Sequence, residues 1–213
     1  QLVTFLYNIV DRMFVAKIGE GGMDALAALG IVLPITLIIQ AFASLIGIGG
    51  APRASIKLGE GDDGEANKIF NTAFILLTVT GIVISALTLF LARPIVVLFG
   101  CPPSAVEFAT SYLKVYSFGT LFVLLAQGLN PFITAQGYSF MAMASVLIGA
   151  ITNIGLDPLL IFVCDLGVKG ASLATVISQG ISFIWITAFF FTKKSKFKLR
   201  FKDMKLKAKR IAG

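Results

Sequence analysis

Ala142-Met143-Ala144-Ser145-Val146-Leu147-Ile148-Gly149-Ala150-Ile151-Thr152-Asn153-Ile154-Gly155-Leu156-Asp157-Pro158-Leu159-Leu160-Ile161-Phe162-Val163 is a long apolar run with a single acidic residue inside it. A helix of this length and composition crosses the hydrocarbon core of a bilayer, which is about 30 Å thick. Asp157 would then sit at membrane depth, where a carboxylate is costly unless it is paired, hydrated or protonated. A second stretch repeats the pattern. Asp11 interrupts Leu2-Val3-Thr4-Phe5-Leu6-Tyr7-Asn8-Ile9-Val10 and the following Met13-Phe14-Val15-Ala16. Two such carboxylates point to coupling chemistry, in which a proton or small cation binds, neutralises charge and leaves.

Composition agrees with a membrane protein. Hydrophobic residues make up 57% and charged residues 14%, and the mean hydropathy of +0.91 is far from that of a soluble domain. The 213 residues leave room for six spans of about 20–25 residues with short loops. The net charge of +7 is not spread over the chain, because ten of the eighteen Lys and Arg lie from Lys193 onward. The body has a slight acidic excess, which argues against a nucleic-acid partner. The first residues already belong to a span, so no cleavable signal is expected. With no His and with Cys101 and Cys164 far apart in expected loops, neither a transition-metal site nor a cofactor is implied, and free thiols are expected. No nucleophile–base set appears, so an enzyme is the least favoured class. Gly47-Ile48-Gly49-Gly50 lacks the Lys-Ser/Thr of a phosphate loop and reads as close helix packing.

Along the chain, spans are expected at about 1–17, 24–58, 69–92, 104–134, 140–163 and 168–192. Residues 1–192 form one lobe, and 193–213 a basic cytoplasmic linker. Asp24 reads as an N-cap, with Ala25, Ala27, Ala28 and Gly30 allowing close approach by another helix, and Pro34 is expected to bend the second span. Glu60 to Glu65 reads as a charged loop, Arg93-Pro94 as the start of a loop, and Ser104 with Glu107 as a capping box. The Lys-rich tail places both ends on the cytoplasmic side of the cell membrane. Within the tail, Phe197, Phe201, Met204, Ala208 and Ile211 fit the spacing of an amphipathic helix on the inner leaflet, or the segment is a plain connector. In this topology Asp11, Asp157 and Thr175 fall at one depth, roughly 9–10 Å below the outer boundary at 1.5 Å per residue. Asn153 shares a helix face with Asp157. Pro158 deprives the Ile154 carbonyl of its helical donor. Tyr7 and Asn8 can orient Asp11, and the Ala171 carbonyl, one turn from Thr175, can complete an oxygen-rich shell. Gln127 and Asn130, i and i+3, fall nearer the inner side as packing or pathway residues. Each of these also has a bland reading: Arg12 can pair locally with Asp11, and Asn and Thr often join helices by hydrogen bonds.

Several motifs together resemble the multidrug and toxic compound extrusion (MATE) transporters, with the Asp-Arg pair most similar to the bacterial multidrug-efflux branch. They are Tyr7-Asn8-Ile9-Val10-Asp11-Arg12-Met13-Phe14-Val15, Ala25-Leu26-Ala27-Ala28-Leu29-Gly30, Leu33-Pro34, Asn130-Pro131-Phe132, Ala135-Gln136-Gly137, Asn153-Ile154-Gly155-Leu156-Asp157-Pro158 and Gly170-Ala171-Ser172-Leu173-Ala174-Thr175. The resemblance implies an all-α membrane protein whose six transmembrane helices form one lobe of a twelve-helix, two-lobed transporter. It implies export of small, often cationic drug-like compounds driven by H⁺ or Na⁺. The cation site would comprise Asp11, Asp157, Asn153, Thr175 and the Ala171 carbonyl, with Tyr7 a weaker match, and no metal beyond Na⁺ at the two carboxylates. The expected partners are membrane lipid and a second six-helix lobe, so the chain is expected to be half of a transporter. A lipid-linked oligosaccharide flippase of the same wider fold group and a non-transporting membrane scaffold are the alternatives. The flippase reading is weakened because Arg12 is the one Arg in the body of a span, Arg53 lying toward the cytoplasmic end of the second.

Overall fold

A computed structural model describes residues 2–18 and 21–199, with the side chains of the first helix described from Ile9 onward. The elements are α1 (Leu2–Val15), α2 (Gly22–Gly59), α3 (Asp63–Phe90), α4 (Ala92–Leu98), α5 (Val106–Ala135), α6 (Ser139–Pro158), a π-helical stretch (Leu159–Val163) and α7 (Gly167–Phe191). The long helices run alternately up and down. One end of the bundle, the tail end, carries Gly59, Asp63, Ala135, Ser139 and Phe191. The far end carries Val15, Gly22, Val106, Val163 and Gly167.

Among the described residues, five helices are long and apolar enough to cross a membrane: α2, α3, α5, α7, and α6 together with its π-helical extension. The described part of α1 has 14 residues, about 21 Å of helix, and is short of the bilayer core. The expected first span therefore does not reach spanning length in its described part. At 38 residues, α2 is about 57 Å long and overshoots the core, remaining continuous through Pro34 and Pro52.

Several boundaries correct the expectations, each for a local reason. Asp24 is not the N-cap of α2. The helix starts at Gly22 after Gly21, which takes the left-handed conformation at φ 97°. Asp24 instead accepts a 2.7 Å hydrogen bond from the Ser104 hydroxyl, so Ser104 is not a capping-box residue either. That one contact ties the start of α2 to the loop before α5. The charged stretch from Asp63 onward belongs to α3, because Asp62 caps the helix by accepting from the Glu65 N–H at 2.9 Å. Arg93-Pro94 lies in α4 rather than in a loop. Pro94 is the third residue of that helix, where a missing N–H costs no intrahelical bond.

At the centre, α5 packs against α2, α3, α4, α6 and α7. Gly47 lets α2 come against α5, since a Cβ added there would lie 2.6 Å from the Gly128 carbonyl oxygen. This is the close packing expected of the Gly47–Gly50 run. In the Ala25–Gly30 segment, Ala25 and Ala28 are buried, but Ala27 and Gly30 are exposed, and a Cβ added at Gly30 would meet nothing within 4 Å. Cys101 and Cys164 are both free thiols.

The tail is not helical where it is described. Residues 192–199 follow α7 without helical structure, and Phe197 is fully buried. Its helical spacing with Phe201, Met204, Ala208 and Ile211 therefore fails at the first member; the other four lie outside the described residues.

Candidate functional site

In the far half of the bundle, α1, α6 and α7 bring polar groups together inside an otherwise apolar interior. Asp157 is fully buried near the end of α6, and Asn153 is one turn earlier at 2% exposure. The Asn153 amide nitrogen lies 3.3 Å from Asp157 Oδ1, to which it donates, and 3.5 Å from the Thr175 hydroxyl oxygen on α7. The Thr175 hydroxyl donates to the Ala171 carbonyl at 3.1 Å, which joins that oxygen to the set. Asp11 is 7% exposed on α1, which packs against α6.

Three oxygens in this cluster have no partner: Asp11 Oδ1, Asp157 Oδ2 and Asn153 Oδ1 are all buried without a hydrogen bond. All three are acceptors, and Asp11 and Asp157 are of the same sign when ionised. Buried acceptors without donors are costly, and most native structures avoid them. A proton or a hard cation held by oxygen ligands would satisfy them. Arg12 does not do so by contact. Among the described residues the ion pairs in contact are Lys57–Glu60 and Lys68–Glu65.

The local chain explains the geometry. The i, i+4 spacing puts Asn153 and Asp157 on one face of α6. Pro158 has no N–H for the Ile154 carbonyl, and the helix continues beyond it with wider π-type turns, the Cys164 N–H reaching the Leu159 carbonyl at 2.9 Å. Single π-helical turns are rare and often lie beside functional sites. This one was not foreseen, although Pro158 was its visible cause.

A cavity of about 30 Å³ opens beside Asp11 and Thr175, lined also by Thr36, Gln40, Tyr112, Tyr116, Gln127 and Gln179. A water needs a cavity of roughly 10–15 Å³ on this measure, so the space suits a water or a partly hydrated ion. A neighbouring cavity of about 50 Å³ shares Gln127 and Gln179 and is walled by Asn130, Ser145 and Ser182. Gln127 donates to Gln40 at 3.0 Å, which places it at the cavity wall. Asn130 donates to the Ala142 carbonyl and the Ser145 hydroxyl at 3.1 and 2.9 Å, so it ties α5 to α6 as well as lining the second cavity. The side chains of Tyr7 and Asn8 lie outside the described residues. Thr36, Gln40, Tyr112, Tyr116 and Gln179 were missed in the sequence. Their signal was available: Thr36/Gln40, Tyr112/Tyr116 and Thr175/Gln179 are polar pairs at i, i+4 within apolar helices. Among the described residues no group of three or more His, Cys, Asp or Glu could hold a metal ion.

Comparison with known proteins agrees with this architecture. The MatE family profile matches residues 1–159. The chain is 29% identical over 193 residues to the multidrug export protein MepA of Staphylococcus saprophyticus, an alignment covering 91% of this chain and 42% of that protein. Among solved structures, the MATE multidrug transporter DinF-BH is 34% identical with a TM-score of 0.90, over 98% of this chain and 46% of that one. Two structures of a multidrug resistance MATE family transporter of the MOP superfamily, each 26% identical, fit almost equally well. The inward-facing one has a TM-score of 0.89 over 97% of this chain, and the outward-facing one 0.88 over 98%, each with 46% of the solved chain covered. The fold matches that of these membrane proteins, and the chain belongs to the MATE family. It spans less than half the length of these relatives.

Proposed function

We propose that the chain is the N-terminal half of a cation-coupled multidrug antiporter in the cell membrane, exporting small, often cationic organic compounds in exchange for H⁺ or Na⁺. The observation that carries this reading is the set of partnerless oxygens on Asp11, Asn153 and Asp157, bridged to Thr175 and Ala171. Binding a cation there removes the electrostatic cost of the two carboxylates and so favours one arrangement of the protein over another. A second six-helix lobe completes the transporter. The cavities beside Asp11 and Asn130, about 30 and 50 Å³, are each far below the roughly 300–1,000 Å³ of a drug-sized site, so in this reading the drug binds at neither. In this reading α1 completes the sixth span, the tail end is cytoplasmic, and neither a cofactor nor enzymatic chemistry is involved.

The test is efflux from energised membrane vesicles containing the full-length protein. Asp11→Asn and Asp157→Asn keep side-chain shape but cannot change charge on binding a proton, and an amide is a poorer Na⁺ ligand. Each should abolish gradient-driven export at normal membrane abundance. Wild-type efflux in both variants would refute the coupling role.

A further inference from the structure

At the tail end the chain leaves α7 through Thr192-Lys193-Lys194-Ser195-Lys196-Phe197-Lys198-Leu199. Burial alternates along it: Ser195 and Phe197 are buried, whereas Lys194 and Lys196 are exposed. That is the two-residue period of an extended segment. No neighbouring strand among the described residues supplies its hydrogen bonds. Side-chain amides do so instead. Asn67 of α3 accepts from the Lys198 N–H at 2.6 Å and donates to the Lys196 carbonyl at 3.4 Å, as a peptide group on an adjacent strand would. Asn71, one turn later, donates to the Lys198 carbonyl at 3.0 Å. From the α5–α6 link, the Gln136 side-chain oxygen accepts from the Lys196 N–H at 2.7 Å and the Ser195 hydroxyl at 3.2 Å. The Phe197 ring stacks on Phe70 of α3 at 5.2 Å between centroids and meets Phe132 of α5 edge-on at 5.7 Å. Phe70 in turn packs on Phe190 of α7 at 4.6 Å.

We propose that Ser195–Leu199 is an intramolecular clamp that stays docked throughout the working cycle, binding the tail ends of α3, α5 and α7 into one rigid body. The chain is then handed on to whatever follows from the edge of α3, not from the free end of α7. The contacts read backbone, the small Ser195 side chain and one aromatic ring, so the exposed Lys side chains at 194 and 196 can vary, Ser195 accepts only a near-isosteric replacement, and Phe197 cannot be shortened. A lobe that superposes equally on inward-facing and outward-facing relatives has no need to open this end. With Ser195–Leu199 fixed to three helices, this first part of the connector moves with them as one body.

The clamp can be tested by cysteine labelling in full-length protein with Cys101 and Cys164, both at the far end, replaced by Ser. Ser195→Cys is close to isosteric and is shielded when the segment is docked, while Lys196→Cys reports an exposed neighbour. Maleimide should label Ser195→Cys about tenfold or more slowly than Lys196→Cys, both at rest and with gradient and substrate applied, because local opening must precede reaction. Equal rates under either condition would overturn the proposal. Adding Phe197→Ala should bring the Ser195→Cys rate toward that of Lys196→Cys. If that variant does not accumulate, Gln136→Leu removes the shared acceptor and should do the same. An unchanged rate in the variants that do accumulate would show that these contacts are not what holds the segment. The readout is accessibility, so it is independent of whether the carboxylates couple transport.

Discussion

The far half and the tail end of this bundle share α7 but are built by opposite rules. In the far half, α1, α6 and α7 enclose carboxylate and amide oxygens that lack partners, beside a small cavity and a π-helical stretch. At the tail end, Phe70, Phe132, Phe190 and Phe197 fill the interior, and the polar groups of Asn67, Asn71 and Gln136 bind the backbone of the docked segment. The contrast separates stability from function. Aromatic packing with satisfied hydrogen bonds holds the tail end together, and the far half keeps carboxylate and amide oxygens without partners. Proteins commonly keep such destabilised groups where activity needs them.

The largest effect should come from breaking the packing on the tail side of the centre. Gly47→Leu would drive a side chain into the Gly128 carbonyl, a backbone contact that cannot yield as a flexible side chain can. The full-length variant should fail to accumulate in the membrane, which immunoblotting of membrane fractions measures; normal abundance would show that α2 and α5 can separate cheaply. The opposite result is expected in the far half. Asp157→Asn replaces a buried carboxyl group that has one oxygen unpaired, so the purified full-length protein should unfold at an equal or higher temperature even as efflux is lost. A lower unfolding temperature would make Asp157 a structural residue and erase the contrast. A smaller effect is expected at the edge of the cluster. Thr175→Val keeps the shape but removes the hydroxyl that bridges Asn153 and Ala171. Both bonds join neutral groups, and such a bond contributes about 0.5–1.5 kcal/mol, so the affinity for the coupling ion should fall by roughly two- to tenfold. Equal ion binding in titrations of wild type and variant would remove Thr175 from the site.

How much of this was legible in the sequence depended on whether the cause was local. The long apolar runs displayed the helices, because spanning length and hydropathy are properties of contiguous residues. Asn153 and Asp157 announced a shared face through i, i+4 spacing on one helix, and Pro158 marked the freed Ile154 carbonyl. The same spacing at Thr36/Gln40 and Tyr112/Tyr116 carried no comparable weight without a carboxylate to draw attention to it, yet it lines the same cavity. Helix starts were misread where a side chain had a distant partner: Asp24 and Ser104 look like separate caps and instead bind one another across eighty positions. The docked tail was the least legible element. Its Lys-rich composition signals an aqueous connector, and the three residues that recognise it, Asn67, Asn71 and Gln136, lie on other elements far away in the chain.

The smallest expected effect tests both the contrast between the two ends and their placement. Cys101 and Cys164 lie at the far end, Cys101 in the turn after α4 and Cys164 just beyond the π-helical stretch. Cys164 is exposed, whereas burial pushes the Cys101 thiol above its ordinary range. The thiolate is the reacting species, and a raised thiol pKa lowers its fraction at neutral pH, so Cys101 should react several-fold more slowly than Cys164. The two rates should converge as the pH is raised and Cys101 ionises. A membrane-impermeant maleimide applied to intact cells producing the full-length protein, with other cysteines removed, reads the order and the side at once. If the tail end is cytoplasmic, Cys164 should label without permeabilisation, and Cys101 should follow more slowly. Labelling of Cys164 only after permeabilisation would invert the proposed orientation. Faster labelling of Cys101 would show that its loop opens more readily than its packing against the apolar core implies.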